Sequence, residues 1–259
     1  MIPFFEANIL VLGPITIQVW GFFVAVGIIS GVLLSRHLAK KVFLSPEVVS
    51  DFGVWGIIGG IIGARFVHVF LYEPKYYLDN PLEILFLWQG GVSSLGGFLG
   101  AAIAILLFAK KRGFNLKELL PYFDIMSLGL WLGWAIGRIG CFFIHDHIGR
   151  LSNFFLAVDF PAGARFDLGL LESLLAFLVF VVFIFSWKKI IKNGWGKVFV
   201  YSFLAFALFR FGLDFLRAED IEFSDPRYFF LTPMQWGIVC GAVGLTIWEI
   251  YSKISARNS

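Results

Sequence analysis

Seven apolar runs of membrane-spanning length, joined by short charged or polar connections, leave this 259-residue chain few ways to fold. They extend approximately from Ile15 to Leu34, Phe52 to Leu71, Val92 to Ala109, Tyr122 to Phe143, Leu168 to Trp187, Val198 to Phe215, and Trp236 to Ile250. A helix needs about 20 apolar residues to cross the hydrocarbon of a bilayer. Only helices and closed barrels satisfy their own backbone polar groups there. A barrel would show segments of alternating polarity, whereas these runs are continuous. The prediction is an all-α polytopic membrane protein with seven transmembrane helices. Charged residues make up only 15% of the chain, against about 25% in soluble domains, so a water-soluble domain is excluded and no nucleic-acid partner is expected. The two cysteines, Cys141 and Cys240, lie in apolar runs and are too few for a disulfide scaffold. Met1 to Gln18 carries no basic residue, so no cleavable leader is expected and the first run is kept as a span.

Basic residues predict the orientation. Arg36, Lys40 and Lys41 follow the first run, and Lys110, Lys111, Arg112 and Lys117 the third. Lys188, Lys189, Lys192 and Lys197 follow the fifth, and Lys253 and Arg257 close the chain. The alternate connections hold only Lys75, Arg150, Arg165, Arg217 and Arg227, among acidic residues. The N-terminus is therefore expected outside and the C-terminus in the cytoplasm. Residues 1–259 read as a single transmembrane domain with extracytoplasmic loops at about 72–91, 144–167 and 217–232. The short apolar stretch from Leu82 to Trp88 reads as a half-helix in the interface. Function is expected on the outer side, because the cytoplasmic loops are short and basic.

One stretch holds most of the chemistry. Gly137-Arg138-Ile139-Gly140-Cys141 continues through Phe142, Phe143 and Ile144 to His145-Asp146-His147-Ile148-Gly149-Arg150. It takes an arginine into the membrane, where an ionised group costs about 2.5–3.5 kcal/mol on insertion scales. Other ionisable groups inside the runs are Arg65, His68, Asp124, Glu172, Arg210 and Asp214. Asp124 and Arg138 stand about 21 Å apart along one helix, so each needs a partner elsewhere. Arg210 and Asp214 are spaced i,i+4 and can pair.

Arg65, Arg138, Arg210 and Arg217 all fall in the outer half of the predicted membrane. A guanidinium fork suits a phosphate in two-point contact, so this placement points to an anionic lipid head group. The alternative is that the arginines neutralise Asp124, Glu172 or Asp214. Gly140 and Gly149 leave room for a head group or for close backbone approach. His145, Asp146 and His147 offer a general base, or a plain interfacial loop. Two histidines two apart could also ligate a metal, but no third and fourth ligand is plainly spaced for it. The small residues from Gly90 to Gly100 open the third run and permit tight helix contact or an anion at a helix start.

These residues resemble the prolipoprotein diacylglyceryl transferase family over nearly the whole chain. Gly137-Arg138-Ile139-Gly140 followed by Gly149-Arg150 is similar to the family's Gly-Arg-x-Gly-Asn-Phe…Gly-Arg signature. Asp124, Gly63-Ala64-Arg65, the 90–97 segment, Glu172, Phe209-Arg210 through Arg217, and Met234-Gln235 also fall where the family has similar motifs. Four positions depart from it. Leu95 stands where the family has a histidine often proposed as catalytic, Cys141 where it has asparagine, Trp20 for a tyrosine, and Phe166 for a histidine.

The resemblance implies a seven-span enzyme of the bacterial inner (cytoplasmic) membrane. It would move a diacylglyceryl group from phosphatidylglycerol to the lipobox cysteine of a prolipoprotein and release glycerol phosphate. Its partners are then phosphatidylglycerol, the prolipoprotein signal segment and membrane lipids, with no cofactor or metal required. The expected catalytic residues are His147, His145, Asp146 and Arg138. The expected substrate-binding residues are Arg138, Arg217, Arg210, Arg150, Arg65, Glu172, Gly140 and Gly149. Two rivals stay open. A relative with another lipid-transfer or non-catalytic lipid-binding role fits the loss of the histidine at 95. A small-solute or anion transporter fits the charged spans, although prolines are scarce within them.

Overall fold

The computed structural model describes residues 1–13, 15–86, 90–221, 224 and 226–243. Among these, six helices are long and apolar enough to cross a membrane. They are α1 (Val19–Lys41), α2 (Pro46–Leu71), α4 (Ser94–Lys111), α5 (Leu116–Ile144), α6 (Leu168–Ile191) and α7 (Lys197–Leu213). A short helix, α3 (Pro74–Asp79), precedes a 3-10 turn at Pro81–Leu85, and a second such turn, Asp214–Leu216, prolongs α7. The protein is thus an all-α polytopic membrane protein, and its first six apolar runs are its first six long helices. Residues 233–243 are helical where the seventh run begins, and 244–250 lie outside the described residues. The expected half-helix from 82 to 88 is a single 3-10 turn in its described part, with 87–89 outside the described residues.

Local signals set several boundaries. Helix α5 starts at Leu116, not near Tyr122, because Asn115 and Glu118 cap each other's backbone N–H groups at 3.1 and 2.9 Å. Asp167 caps α6 by accepting from the Leu170 N–H at 2.9 Å. Asp124 is fully buried and accepts from the Gly196 and Phe199 N–H groups at 2.7 and 2.8 Å. Its partner is therefore the start of α7, where backbone donors and the helix dipole stabilise an anion.

The chain forms two compact units, one of residues 1–58 and 103–224, the other of 59–102 and 225–259. The long helix α5 is the axis of the first, packed against α1, α6 and α7. Lipid tails are as apolar as leucine, so close van der Waals packing holds such helices together, not the hydrophobic effect. Gly27 and Gly31 of α1 face Gly133 and Gly129 of α5. A Cβ on Gly31 would lie 2.6 Å from the Gly129 carbonyl oxygen, so both backbones depend on having no side chain here. Farther along, Trp131 is fully buried with its ring 4.8 Å from Phe203 and 4.6 Å from Phe206. Outward residues such as Phe185 and Leu208 stay exposed, as suits a surface wetted by lipid.

The stretch after α5 is not an irregular loop. Strands β1 (Ile2–Pro3), β4 (Ile148–Leu151), β5 (Val158–Phe160) and β6 (Gly163–Asp167) form one sheet in the order β1-β5-β6-β4. Strands β2 (Ile9–Leu12) and β3 (Ile15–Gln18) make a separate hairpin that leads into α1. In the second unit, α2 and α4 meet at Gly63 and Gly100, where a Cβ on either would come within 2.8 Å of the other's Cα. Thr232 and Gln235 cap the 233–243 helix reciprocally, at 2.9 and 3.2 Å.

Candidate functional site

Glu172, one turn into α6 and fully buried, gathers three arginines. Its carboxylate oxygens lie 2.9 Å from Arg138, 3.1 Å from Arg210 and 3.5 Å from Arg217. Asp214, also fully buried, pairs with Arg210 and stands 2.6 Å from Arg217. Helical spacing prepares half of this arrangement, because 210, 214 and 217 fall on one face of α7 and its 3-10 extension. Glu172 meets its cations through charge and short distance, without well-aligned hydrogen bonds. Three guanidiniums thus meet at two buried carboxylates. Arg138 also lies over the Trp134 ring at 5.0 Å, one turn back along α5.

The two glycines of the signature act on backbone approach. A Cβ on Gly140 would meet Phe23 and Trp20 of α1 at 2.9 and 3.1 Å. A Cβ on Gly149 would lie 2.7 Å from the Leu216 carbonyl oxygen, and Gly149 makes a β-bridge with Arg217. Gly149 thereby ties the backbone that carries Arg217 to β4. Arg150, the next residue, is exposed.

The three polar residues after α5 separate sharply. His145 closes the helix in the left-handed conformation (φ 52) with a buried side chain. Its Nδ1 is 2.7 Å from the Asp167 carboxylate and its Nε2 is 2.5 Å from the Phe5 carbonyl oxygen. Two acceptors on two ring nitrogens call for the doubly protonated ring. Burial opposes that charge, but the Asp167 carboxylate and the Phe5 carbonyl outweigh it and raise the pKa above the usual histidine range. Phe4 stacks on the ring at 5.3 Å. His145 is a strut between the N-terminal segment and the start of α6, with no ring nitrogen left to accept a proton.

The Asp146 side chain is two-thirds enclosed, at 34% exposure, and its carboxylate lies 3.9 Å from His147 Nε2, beyond hydrogen-bond range. Burial pushes the Asp146 carboxyl up to about 6, against the pull of Arg138. Burial, then the charges of Arg138, Arg217 and Arg210, hold His147 well below the usual histidine range. Cys141 is buried on the Arg138 face of α5, with its sulfur 3.5 Å from the guanidinium. Cys141, Asp146 and His147 bring a sulfur, a carboxylate oxygen and a ring nitrogen within 4.8 Å of one another. The third ligand that sequence spacing did not show is thus supplied in space.

Arg65 belongs to the second unit, and its surroundings differ in kind. All five of its N–H groups point at backbone carbonyls. The Nε bond reaches Ile84 at 3.0 Å, one nitrogen reaches Gly90 and Gly91 at 2.5 and 2.9 Å, and the other reaches Glu83 and Phe86 at 2.5 and 3.4 Å. No donor remains for a phosphate. Leu95 packs against Gly237 in the same unit.

Asp167 and Trp134 were missed as site residues. Asp167 was readable as a helix cap, since an aspartate directly precedes the apolar run at Leu168. Its pairing with His145 spans 22 positions of chain and left no local signal.

Residues 7–251 match the family model described as prolipoprotein diacylglyceryl transferase. Among curated relatives are the phosphatidylglycerol–prolipoprotein diacylglyceryl transferases of Brucella canis, Brucella ovis and Brucella abortus. Each is 30% identical over 281 residues, covering 99% of this chain and 95% of the relative.

Proposed function

Since the chain belongs to the prolipoprotein diacylglyceryl transferase family, we propose that the arginine cluster around Glu172 is its lipid head-group site. The reaction transfers a diacylglyceryl group from phosphatidylglycerol to the cysteine thiol of a prolipoprotein and releases glycerol phosphate. The observation that carries the assignment is the convergence of three guanidiniums, those of Arg138, Arg210 and Arg217, on the buried Glu172 carboxylate. Guanidinium forks suit the paired oxygens of a phosphodiester. When the glycerol C–O bond breaks, the phosphate moves toward a monoester that carries about −1.5 to −2. The cluster therefore binds the transition state more tightly than the lipid, which is the condition for faster chemistry. The buried carboxylates hold the three forks in place before lipid arrives, so little reorganisation is needed.

Diacylglycerol is apolar, and an apolar cleft of about 220 Å³ beside the end of α5 suits an acyl chain; Leu10, Phe22, Phe23 and Phe143 are among its lining residues. The acceptor thiol must lose a proton. His145 is engaged at both nitrogens, so Asp146 and His147 are the groups placed to assist. The protein sits in the bacterial inner membrane with the C-terminal end of α5 outward. Cysteines introduced at Asn115 and Asn153 test this: an impermeant reagent should label only the second, and labelling of the first alone would reverse the orientation.

The test of the site is Arg138→Lys in a labelled-lipid transfer assay. Lysine keeps the charge and loses the fork, and removing one donor to developing negative charge costs roughly 10²–10³ in turnover. Normal transfer by the lysine variant would refute two-point phosphate binding there. Leu95 favours a second reading, a relative that binds phosphatidylglycerol without catalysis. Saturable lipid binding with no thioether product from the wild-type protein would establish that one.

A further inference from the structure

We propose that Cys141, Asp146 and His147 form a three-ligand site for a borderline-soft divalent metal ion, zinc foremost, whose open position takes the acceptor cysteine as its thiolate. This rests on the transferase reading above and names how the thiol is activated.

The geometry comes first. The three ligand atoms lie within 4.8 Å of one another. In a tetrahedral zinc site, with Zn–S near 2.3 Å and Zn–N or Zn–O near 2.0–2.2 Å, ligand atoms stand roughly 3.3–3.7 Å apart. The residues need to close by about an ångström. Cys141 is buried on the rigid helix, whereas Asp146 and His147 are partly open and can turn toward it. His145 sets the chain direction for both. Its left-handed backbone and its bonds to Asp167 and Phe5 reverse the chain at the end of α5. A site whose ligands hang from a rigid helix and a pinned turn has the outer support that metal centres require.

The donor set selects the ion. One sulfur, one imidazole and one carboxylate suit zinc, whereas magnesium and calcium take oxygen alone. Three protein ligands with a fourth position free is the arrangement of reactive zinc sites, and structural sites are closed by a fourth protein ligand. The charges also fit. A dication bound by one thiolate and one carboxylate is neutral before the acceptor arrives, and the acceptor thiolate then adds one negative charge. The Arg138 guanidinium stands 3.5 Å from the Cys141 sulfur.

The site explains a thiol at 141 and meets the need that Leu95 cannot. A thiol that coordinates a metal is deprotonated outright, so its proton goes to water without a strong protein base. The metal-held sulfur of the acceptor then supplies the electron pair for a new C–S bond to the glycerol carbon that carries the phosphate. That carbon's C–O bond breaks, and its electron pair leaves with glycerol phosphate. The metal's oxidation state is unchanged and no further reactant is needed.

The experiment uses the full chain in detergent micelles, stripped with a chelator and reloaded with Zn²⁺ or Co²⁺. Wild type should bind one metal per chain, and its Co²⁺ form should show sulfur-to-cobalt charge-transfer absorption. Losing even an outer-shell partner lowers metal affinity about 10–100-fold, so Cys141→Asn should lower zinc affinity about 100-fold or more and abolish that absorption. His147→Gln should weaken zinc binding while keeping the sulfur band, which separates ligand loss from misfolding. Stripped protein should lose transfer to a prolipoprotein peptide and regain it with Zn²⁺. Equal zinc content in wild type and Cys141→Asn, an adventitious ion only, would overturn the site. So would full transfer by stripped protein, which would leave the transferase reading intact. Metal bound through sulfur, with no transfer under any loading, would instead overturn the transferase reading and the thiolate role with it.

Discussion

Arg65 and Arg138 sit on long apolar helices, are 4% and 7% exposed, and lie over aromatic rings, Tyr77 at 4.9 Å and Trp134 at 5.0 Å. Their partners differ. Arg65 is saturated by five backbone carbonyls, which are neutral and come from one short segment, 83–91. Arg138 shares the Glu172 carboxylate with two other arginines. The comparison teaches that burial of a cation in a membrane helix does not define its task. A guanidinium satisfied by dipoles fixes a loop, whereas one that shares its carboxylate with other guanidiniums is placed to meet an anion.

The sharpest way to break this contrast is to remove the hub. Glu172→Gln keeps the shape and removes the carboxylate that Arg138, Arg210 and Arg217 share. Breaking a buried ion pair costs about 3–5 kcal/mol, so this variant should unfold well below wild type in a thermal-shift assay and show no transfer. Wild-type stability would mean that Glu172 is not the keystone of the cluster.

Arg65→Lys comes next. An ammonium offers three donors for five carbonyls, and each charge-assisted bond is worth roughly 1.5–3 kcal/mol. The predicted loss is about 3 kcal/mol, read as faster proteolytic nicking within 83–91. Inhibition of transfer by added glycerol phosphate should keep its midpoint. A weakened midpoint would place Arg65 in anion recognition and erase the distinction.

His145→Asn tests a third kind of buried cation, one held by a single carboxylate and a carbonyl. Asparagine tolerates the left-handed backbone, so the change isolates the two lost contacts, worth about 2–3 kcal/mol. The folded-state pKa of His145 is raised. Its stabilising contribution is therefore complete below the unfolded histidine value of about 6.5 and fades as pH rises through the folded value. The thermal-shift gap between wild type and variant, measured on metal-free protein, should be widest at low pH and narrow as pH rises. A gap that widens with pH would show that the ring is neutral when folded.

The smallest effect belongs to Arg150→Gln. Arg150 is exposed, and an exposed charge is worth about 1 kcal/mol or less and is screened by salt. Lipid affinity should fall less than about fivefold and recover at high ionic strength. A large salt-independent loss would move Arg150 into the head-group site.

What was readable along the chain is what helical repetition carries. Six long helices, the Arg210–Asp214 pair and the solitary position of Asp124 relative to Arg138 all follow from hydrophobic length and spacing. The glycine seams were partly visible, since Gly90 to Gly100 read as a tight helix start, but the facing pairs Gly27–Gly133 and Gly31–Gly129 were not. A small residue leaves no mark that says which helix will approach it.

The family, the membrane-spanning architecture and the ionisable groups inside the apolar runs were therefore legible in the amino-acid order alone. It cannot rank those charges, because a buried cation's role depends on which groups the other helices bring within about 4 Å. Arg65 met carbonyls and Arg138 met Glu172, 34 positions away by number. His145 met Asp167 across a sheet, and His147 met Cys141 around a turn. Each of those pairings is settled by tertiary packing, where an unsatisfied charge is too costly to leave alone. The order of residues can announce that cost without saying who bears it.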